Sequence, residues 1–249
     1  MEHINSLGPA SPTEETAVCA RHGLPVHRHV LQVCERTFFY DDGCSQCEQA
    51  AAEDEHLRQQ QTFEIAQRRA GIPDRFRSAT VEAFPIPAPG QAEVLEEARR
   101  FCAIAGKGSA GLILRGHVGT GKSHMACGIL NAFLRRELSG RYGQLSDALR
   151  LLREARRWGS ATTEPEALSQ FCTPKLLVLD EIGVKSLEES EFAYLNEIVS
   201  VRHDRKIPTI LISNQKLNVL KEHVGDRVLD RFNDGGKVLI FDWPSLRQP

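Results

Sequence analysis

The segment GLILRGHVGTGKSHMACGILNAFLRR, residues 111–136, constrains this chain more than any other. A short apolar strand at 112–114 runs into GHVGTGKS at 116–123, and an amphipathic helix follows. This is G-x-x-x-x-G-K-S in the strand–loop–helix setting that gives the pattern its mechanism. Glycines 116, 119 and 121 let the backbone come close enough for its N–H groups to cradle phosphates. The expected nucleotide-binding run is Gly116, His117, Val118, Gly119, Thr120, Gly121, Lys122, Ser123 and His124. Lys122 places a point charge on the β- and γ-phosphates, and the Ser123 hydroxyl ligates Mg²⁺. The helix N-terminus adds its own positive end.

A nucleoside triphosphatase also needs an acidic element at the end of a neighbouring strand. KLLVLDE at 175–181 supplies it, 57 residues after Ser123, and its unbroken apolar run fits a parallel strand buried on both faces. Asp180 would hold Mg²⁺ through water, and Glu181 would polarise the attacking water. A third buried strand, PTILISN at 208–214, ends in Asn214. That residue either faces the γ-phosphate at the strand tip, where open sheets bind ligands, or caps the next helix.

With 249 residues the chain has room for one α/β domain and a small appendage, and 41% hydrophobic residues suffice for a core. No apolar run approaches the roughly 18 residues that span a bilayer. The first fifteen residues carry neither a basic n-region nor an apolar h-region, so a cytoplasmic protein with no membrane partner is expected. A net charge of −2 excludes nucleic-acid binding through bulk positive charge, but not a local basic patch. Residues 135–157 hold seven arginines against Glu137, Asp147 and Glu154, a local +4. Leu145, Leu149 and Leu152 face the core at helical spacing. Arg150, Arg153, Arg156 and Arg157 fall on the other side, as a solvated face or a track for a single-strand backbone, with Tyr142 or Trp158 available to stack on bases.

Four of the seven cysteines lie in the first fifth of the chain. Cys19 and His22 form C-x-x-H, and Cys44 and Cys47 form C-x-x-C. Two chelating pairs of this kind predict a tetrahedral Zn²⁺ site whose metal supplies the folding energy of a polar segment. Cys34, His27 and His29 lie inside the loop as alternative ligands. Phe38, Phe39 and Tyr40 are expected to pack beneath the site, with base stacking as the alternative. Cys102, Cys127 and Cys172 read as small buried hydrophobes. The domains expected are a zinc-binding module at 1–48, a connecting helix at 49–70 stopped by GIP at 71–73, and an ATPase domain at 71–249. Within the last, AFPIPAPG at 83–90 reads as an extended crossing, and 92–105 as a helix.

GHVGTGKSHMACGIL, LLVLDEIG, IPTILISN and GDRVLDRF…FDWPSLR together resemble the AAA+ ATPases of the DnaC helicase-loader and IstB transposition-helper group. The resemblance covers about Gly71 to Arg247. It implies an α/β P-loop fold with a parallel sheet and a reduced lid, the chain ending 35 residues after Asn214. It gives Lys122, Ser123, Asp180, Glu181 and Asn214 Walker A, Walker B and sensor-1 roles. Arg231 takes that of an arginine finger reaching a neighbouring subunit's nucleotide, and Arg247 that of sensor 2. From spacing alone, Arg227 and Arg231 share a helix face, which a salt-bridge network with Asp226, Asp230 and Asp234 would also explain. IPDRF at 72–76 looks like the group's segment beside the adenine. The resemblance also raises the single-stranded DNA reading, and a zinc-bearing N-terminus resembles that of phage-type loaders. The function expected is thus ATP-dependent loading of a replicative ring helicase. A transposition helper, or a switch that binds ATP with little turnover, is the alternative.

Overall fold

The computed structural model describes residues 13–33, 36–85, 90–103, 111–184 and 187–246. The expectations for Cys34, for Arg247 and for the IPAP stretch at 86–89 lie outside the described residues. The chain divides into two compact units, Met1–Thr62 and Phe63–Pro249.

The first unit is a three-stranded antiparallel sheet of β1 (Thr13–Val18), β2 (Pro25–Val33) and β3 (Arg36–Asp41), in that order. Arg28 opposes Asp41 across the β2–β3 pair and grips its carboxylate through both oxygens, at 2.6 and 2.8 Å. Phe38, Phe39 and Tyr40 do not pack beneath the cysteines; all three are exposed on β3. An edge strand with no described layer covering it presents both of its faces to solvent. Tyr40 instead stacks on His29 with ring centroids 4.7 Å apart.

Helix α1 (Ser45–Arg69) begins earlier than composition suggested, inside the C-x-x-C pair. Its end is the expected one: Gly71 turns the chain at φ +75°, and a Cβ there would stand 2.8 Å from the Tyr142 carbonyl oxygen.

The second unit is built on a parallel sheet of β4 (Gly111–Gly116), β5 (Gly140–Gln144), β6 (Leu176–Ile182), β7 (Thr209–Ser213) and β8 (Lys237–Phe241). Its order is β5-β6-β7-β4-β8. Alternation decides the layers. Leu112, Leu114, Val178 and Ile210 point to one face, against α2 (Gln91–Ala103) and α3 (Lys122–Leu134). Ile113, Leu177, Leu179 and Leu211 point to the other. That face is covered by α4 (Leu145–Ala155), α5 (Glu164–Cys172), α6 (Glu189–Asp204), α7 (Leu217–Val224) and α8 (Asp226–Asn233). The chain leaves β4 for the far edge, returns through β6 and β7, and closes with β8 on β4's other side. The switch of direction therefore falls beside β4, and the ligand crevice with it.

Residues 70–84 are stitched to α3. Buried Asn131 donates to the carbonyls of Phe76, Arg77 and Ala79 and accepts from Gln67 at 2.8 Å. At Gly128 a Cβ would meet the Thr80 backbone at 2.8 Å, so only glycine admits this strap. No helix among the described residues is long and apolar enough to cross a membrane. Cys127 and Cys172 are buried as expected, whereas Cys102 is only partly so.

Candidate functional site

β4 delivers its last residue, Gly116, into the loop, and α3 starts at Lys122. Gly119 and Gly121 take left-handed φ values of +84° and +92°. A Cβ at Gly119 would lie 2.1 Å from Ser245 Oγ, and one at Gly121 would lie 2.6 Å from the Phe84 ring. The loop is held shut on itself: Thr120 Oγ1 donates to the His117 carbonyl at 2.8 Å. Lys122 Nζ donates to the carbonyls of Gly116 and His117 at 2.8 and 2.6 Å, which keeps its ammonium within the arc of the loop. Val118 is exposed at the tip. His124 lies between Phe76 and Phe84; burial lowers its pKa, so the ring is neutral, and its buried Nδ1 has no hydrogen-bond partner among the described residues.

The acidic pair meets this loop. Ser123 Oγ donates to Asp180 Oδ2 at 2.7 Å, and the Glu181 N–H donates to Asp180 Oδ1 at 2.7 Å. Asp180 is buried, while Glu181 is exposed. Pairing of β6 with β7 slips between Leu179 and Ile182, and inside that bulge Glu181 adopts φ +60°, rare for a residue with a side chain. Strain of this kind costs about 1–3 kcal/mol and persists where the fold over-determines it. A hydroxyl, a buried carboxylate and an exposed carboxylate beside a glycine loop are the donor set that suits Mg²⁺ with a triphosphate.

Asn214 follows Ser213, which pairs with Arg115 one residue before the loop, and its side chain is exposed. The capping alternative is not what forms, since the residue preceding α7 is Lys216. Nor do Arg227 and Arg231 join a salt-bridge face: neither forms an ion pair among the described residues. Asp226 pairs with Lys221 and Asp234 with His203 instead. Arg231 folds back on its own helix, donating to the Arg227 carbonyl at 2.8 Å and to Asn196 at 3.4 Å.

In the first unit Cys19, His22, Cys44 and Cys47 offer ligand atoms that all lie within 4.8 Å of one another. His22 Nδ1 is 3.2, 3.4 and 3.8 Å from the sulfurs of Cys44, Cys47 and Cys19, and Cys19 is 3.8 Å from Cys47. Backbone N–H groups of His22 and Arg21 lower the Cys19 thiol to about 6, so it is a thiolate at neutral pH. Of the alternative ligands, the two described ones are engaged elsewhere or apart: His29 bonds Asp42 at 3.1 Å, and His27 is exposed along β2.

The profile of the family described as IstB-like ATP binding protein matches residues 46–239. The chain belongs to that family. It is 31% identical over 196 residues to a protein of Escherichia coli strain K12 named replicative helicase loader DnaC, covering 78% of each chain. A crystal structure of the DnaC helicase loader superposes with a TM-score of 0.61 at 21% identity, over 68% of this chain and 99% of that one. A replication initiator DnaA bound to AMPPCP and single-stranded DNA gives 0.60 at 22%, over 70% and 51%.

As a DnaC/IstB-type AAA+ ATPase, the protein carries site features that its motifs did not announce. Trp243 donates to the Thr120 carbonyl at 3.0 Å, and the Leu246 N–H donates to that of Gly119 at 2.8 Å, so the DWPSL segment braces the phosphate loop. Phe84 packs on Gly121, and Phe76 of the IPDRF stretch meets His124 edge-on with ring centroids 6.4 Å apart. The basic stretch is less free than its +4 implied. Arg150 pairs with Asp147, Arg153 with Glu191 and Arg156 with Glu164. Arg141 lies over the Phe171 ring and Arg135 over that of Phe63. Tyr142 does not project for stacking: its hydroxyl donates to Asp180 Oδ2 at 2.7 Å. Arg157 and the fully exposed Trp158 remain open to solvent.

Proposed function

We propose that this chain is an ATP-hydrolysing helicase loader that engages a replicative ring helicase and single-stranded DNA. The observation that carries the catalytic part is the Ser123–Asp180 hydrogen bond beside a bulged Glu181. Likeness to a protein named as a replicative helicase loader, along 78% of both chains, supports the biological part. Bound Mg²⁺ supplies positive charge to the β- and γ-phosphates. Ser123 and Asp180 hold that ion, the second through water. Lys122 adds its own charge, Glu181 orients the attacking water, and Asn214 faces the γ-phosphate. Arg231 and Arg247 complete the site as trans finger and sensor 2, which makes function depend on self-assembly. The IPDRF stretch at 72–76, whose Phe76 meets His124, is the proposed neighbour of the base.

Zn²⁺ is the ion proposed for Cys19, His22, Cys44 and Cys47. A tetrahedron built on Zn–S bonds of about 2.3 Å has edges of roughly 3.8 Å, in keeping with the side-chain separations. The resulting module is the proposed helicase-docking element. Helicase immobilised on beads should retain the native protein and release a Cys44→Ser variant. Equal retention of both removes the docking role, and retention of neither favours the transposition-helper reading.

Arg150, Arg153, Arg156 and Arg157 are the proposed single-strand contacts. The Arg150 and Arg156 ion pairs are largely exposed and worth about 0–1 kcal/mol each, so phosphates can replace their partners cheaply, whereas Arg153 reaches from the surface to buried Glu191. Replacing Arg153, Arg156 and Arg157 by alanine should flatten the slope of log affinity against log salt by about 2. An unchanged slope places the strand elsewhere.

A further inference from the structure

Tyr142 stands on β5, two residues before Gln144, which pairs with Asp180 in the sheet. A side chain that leans two positions along the strand can meet its diagonal neighbour, and the phenol does so, placing its hydroxyl 2.7 Å from Asp180 Oδ2. That oxygen also accepts from Ser123 Oγ at 2.7 Å, and its twin accepts from the Glu181 N–H at 2.7 Å. The carboxylate is thus clamped by three donors from three elements, β5, α3 and the β6 bulge. The backbone that carries the phenol is anchored: the Tyr142 N–H donates to the Ala70 carbonyl at 2.6 Å, and Gly71 approaches so closely that a Cβ there would stand 2.8 Å from the Tyr142 carbonyl oxygen.

We propose that Tyr142 is a positioning residue for the magnesium centre, holding the Asp180 carboxylate in the orientation that receives a hydrated Mg²⁺ once Ser123 turns its hydroxyl oxygen to the ion. This rests on the nucleotide-site reading above. Of the three donors, Ser123 has a second task when the ion binds and the Glu181 N–H belongs to the residue next to Asp180; only the phenol comes from a separate strand. Burial and the neighbouring Asp180 both raise the tyrosine's pKa, so it stays a donor across the physiological range.

The test is Tyr142→Phe, which keeps the ring and its packing. Binding of a fluorescent ATP analogue is titrated with Mg²⁺, alongside turnover and thermal midpoint. The expected result is a 3- to 10-fold higher Mg²⁺ concentration for half-maximal binding, with metal-free ATP affinity and midpoint unchanged. Adding Tyr142→Phe to Asp180→Asn should then produce no further shift, because the phenol acts through that carboxylate. An unchanged Mg²⁺ midpoint in the single variant overturns the proposal, and so does an equal shift in both backgrounds. If the unaltered protein binds Mg²⁺·ATP but does not turn it over, hydrolysis fails while the binding titration still decides the role of Tyr142.

Discussion

Arg231→Ala lowers ATP turnover by about 10³–10⁵-fold while ATP affinity stays within a few-fold of the unaltered protein, the effect expected of an arginine that acts in trans. α8 is short and presents Arg231 beside Arg227, away from buried Val228, Leu229 and Phe232. A guanidinium in this position ordinarily finds a carboxylate, and three aspartates lie nearby in sequence. None of them pairs with it, and its bonds to the Arg227 carbonyl and to Asn196 are neutral acceptors that a phosphate outcompetes. The cation is therefore held only by neutral acceptors, as the proposed finger role requires. Turnover per subunit should rise with protein concentration. Mixing Arg231→Ala with Glu181→Gln subunits should recover part of the activity, since each supplies what the other lacks. Unchanged turnover in Arg231→Ala removes the finger assignment.

Metal removal has the second large effect. Treating the protein with a chelator, or replacing Cys44 by serine, should unfold the first unit and leave nucleotide binding by the second intact. Among the described residues of the three-stranded sheet and its turns, only Val26 and Cys44 are buried apolar side chains, and strands of six, nine and six residues in a single layer cannot bury enough surface to offset chain entropy. A structural zinc contributes about 10–16 kcal/mol of apparent binding free energy, which in such a module is folding energy. Elemental analysis should find one zinc per chain, and limited proteolysis should attack residues 13–44 only after chelation. No zinc, with the same cleavage pattern before and after chelator, sinks the assignment.

Much of the fold was legible locally. GHVGTGKS between an apolar strand and a helix, LLVLDE, and TILIS each state their structure within a few residues, because a strand buried on both faces must be continuously apolar and a phosphate loop must have its glycines. The clustering of Cys19, His22, Cys44 and Cys47 was legible as two closely spaced pairs. What was not legible depended on what lay opposite. Aromatic residues at 38–40 read as core, yet nothing described covers their edge strand. The count of arginines at 135–157 likewise could not name the acids that partner them from other elements: Glu191 on α6 pairs with Arg153, and Glu164 at the start of α5 pairs with Arg156.

The phosphate loop itself shows where that division falls. From sequence alone its glycines, lysine and serine were determined, since short-range backbone freedom and chemistry dictate them. Only the tertiary structure decided what completes it: Asp180 brought to Ser123 across 57 positions, Tyr142 donated from the sheet edge 38 positions away, and Trp243 bracing the loop from 123 positions on. A hydrogen bond is specified by two ends, and a linear pattern exposes one end at a time. The parallel register that joins them is set by the packing of both sheet faces.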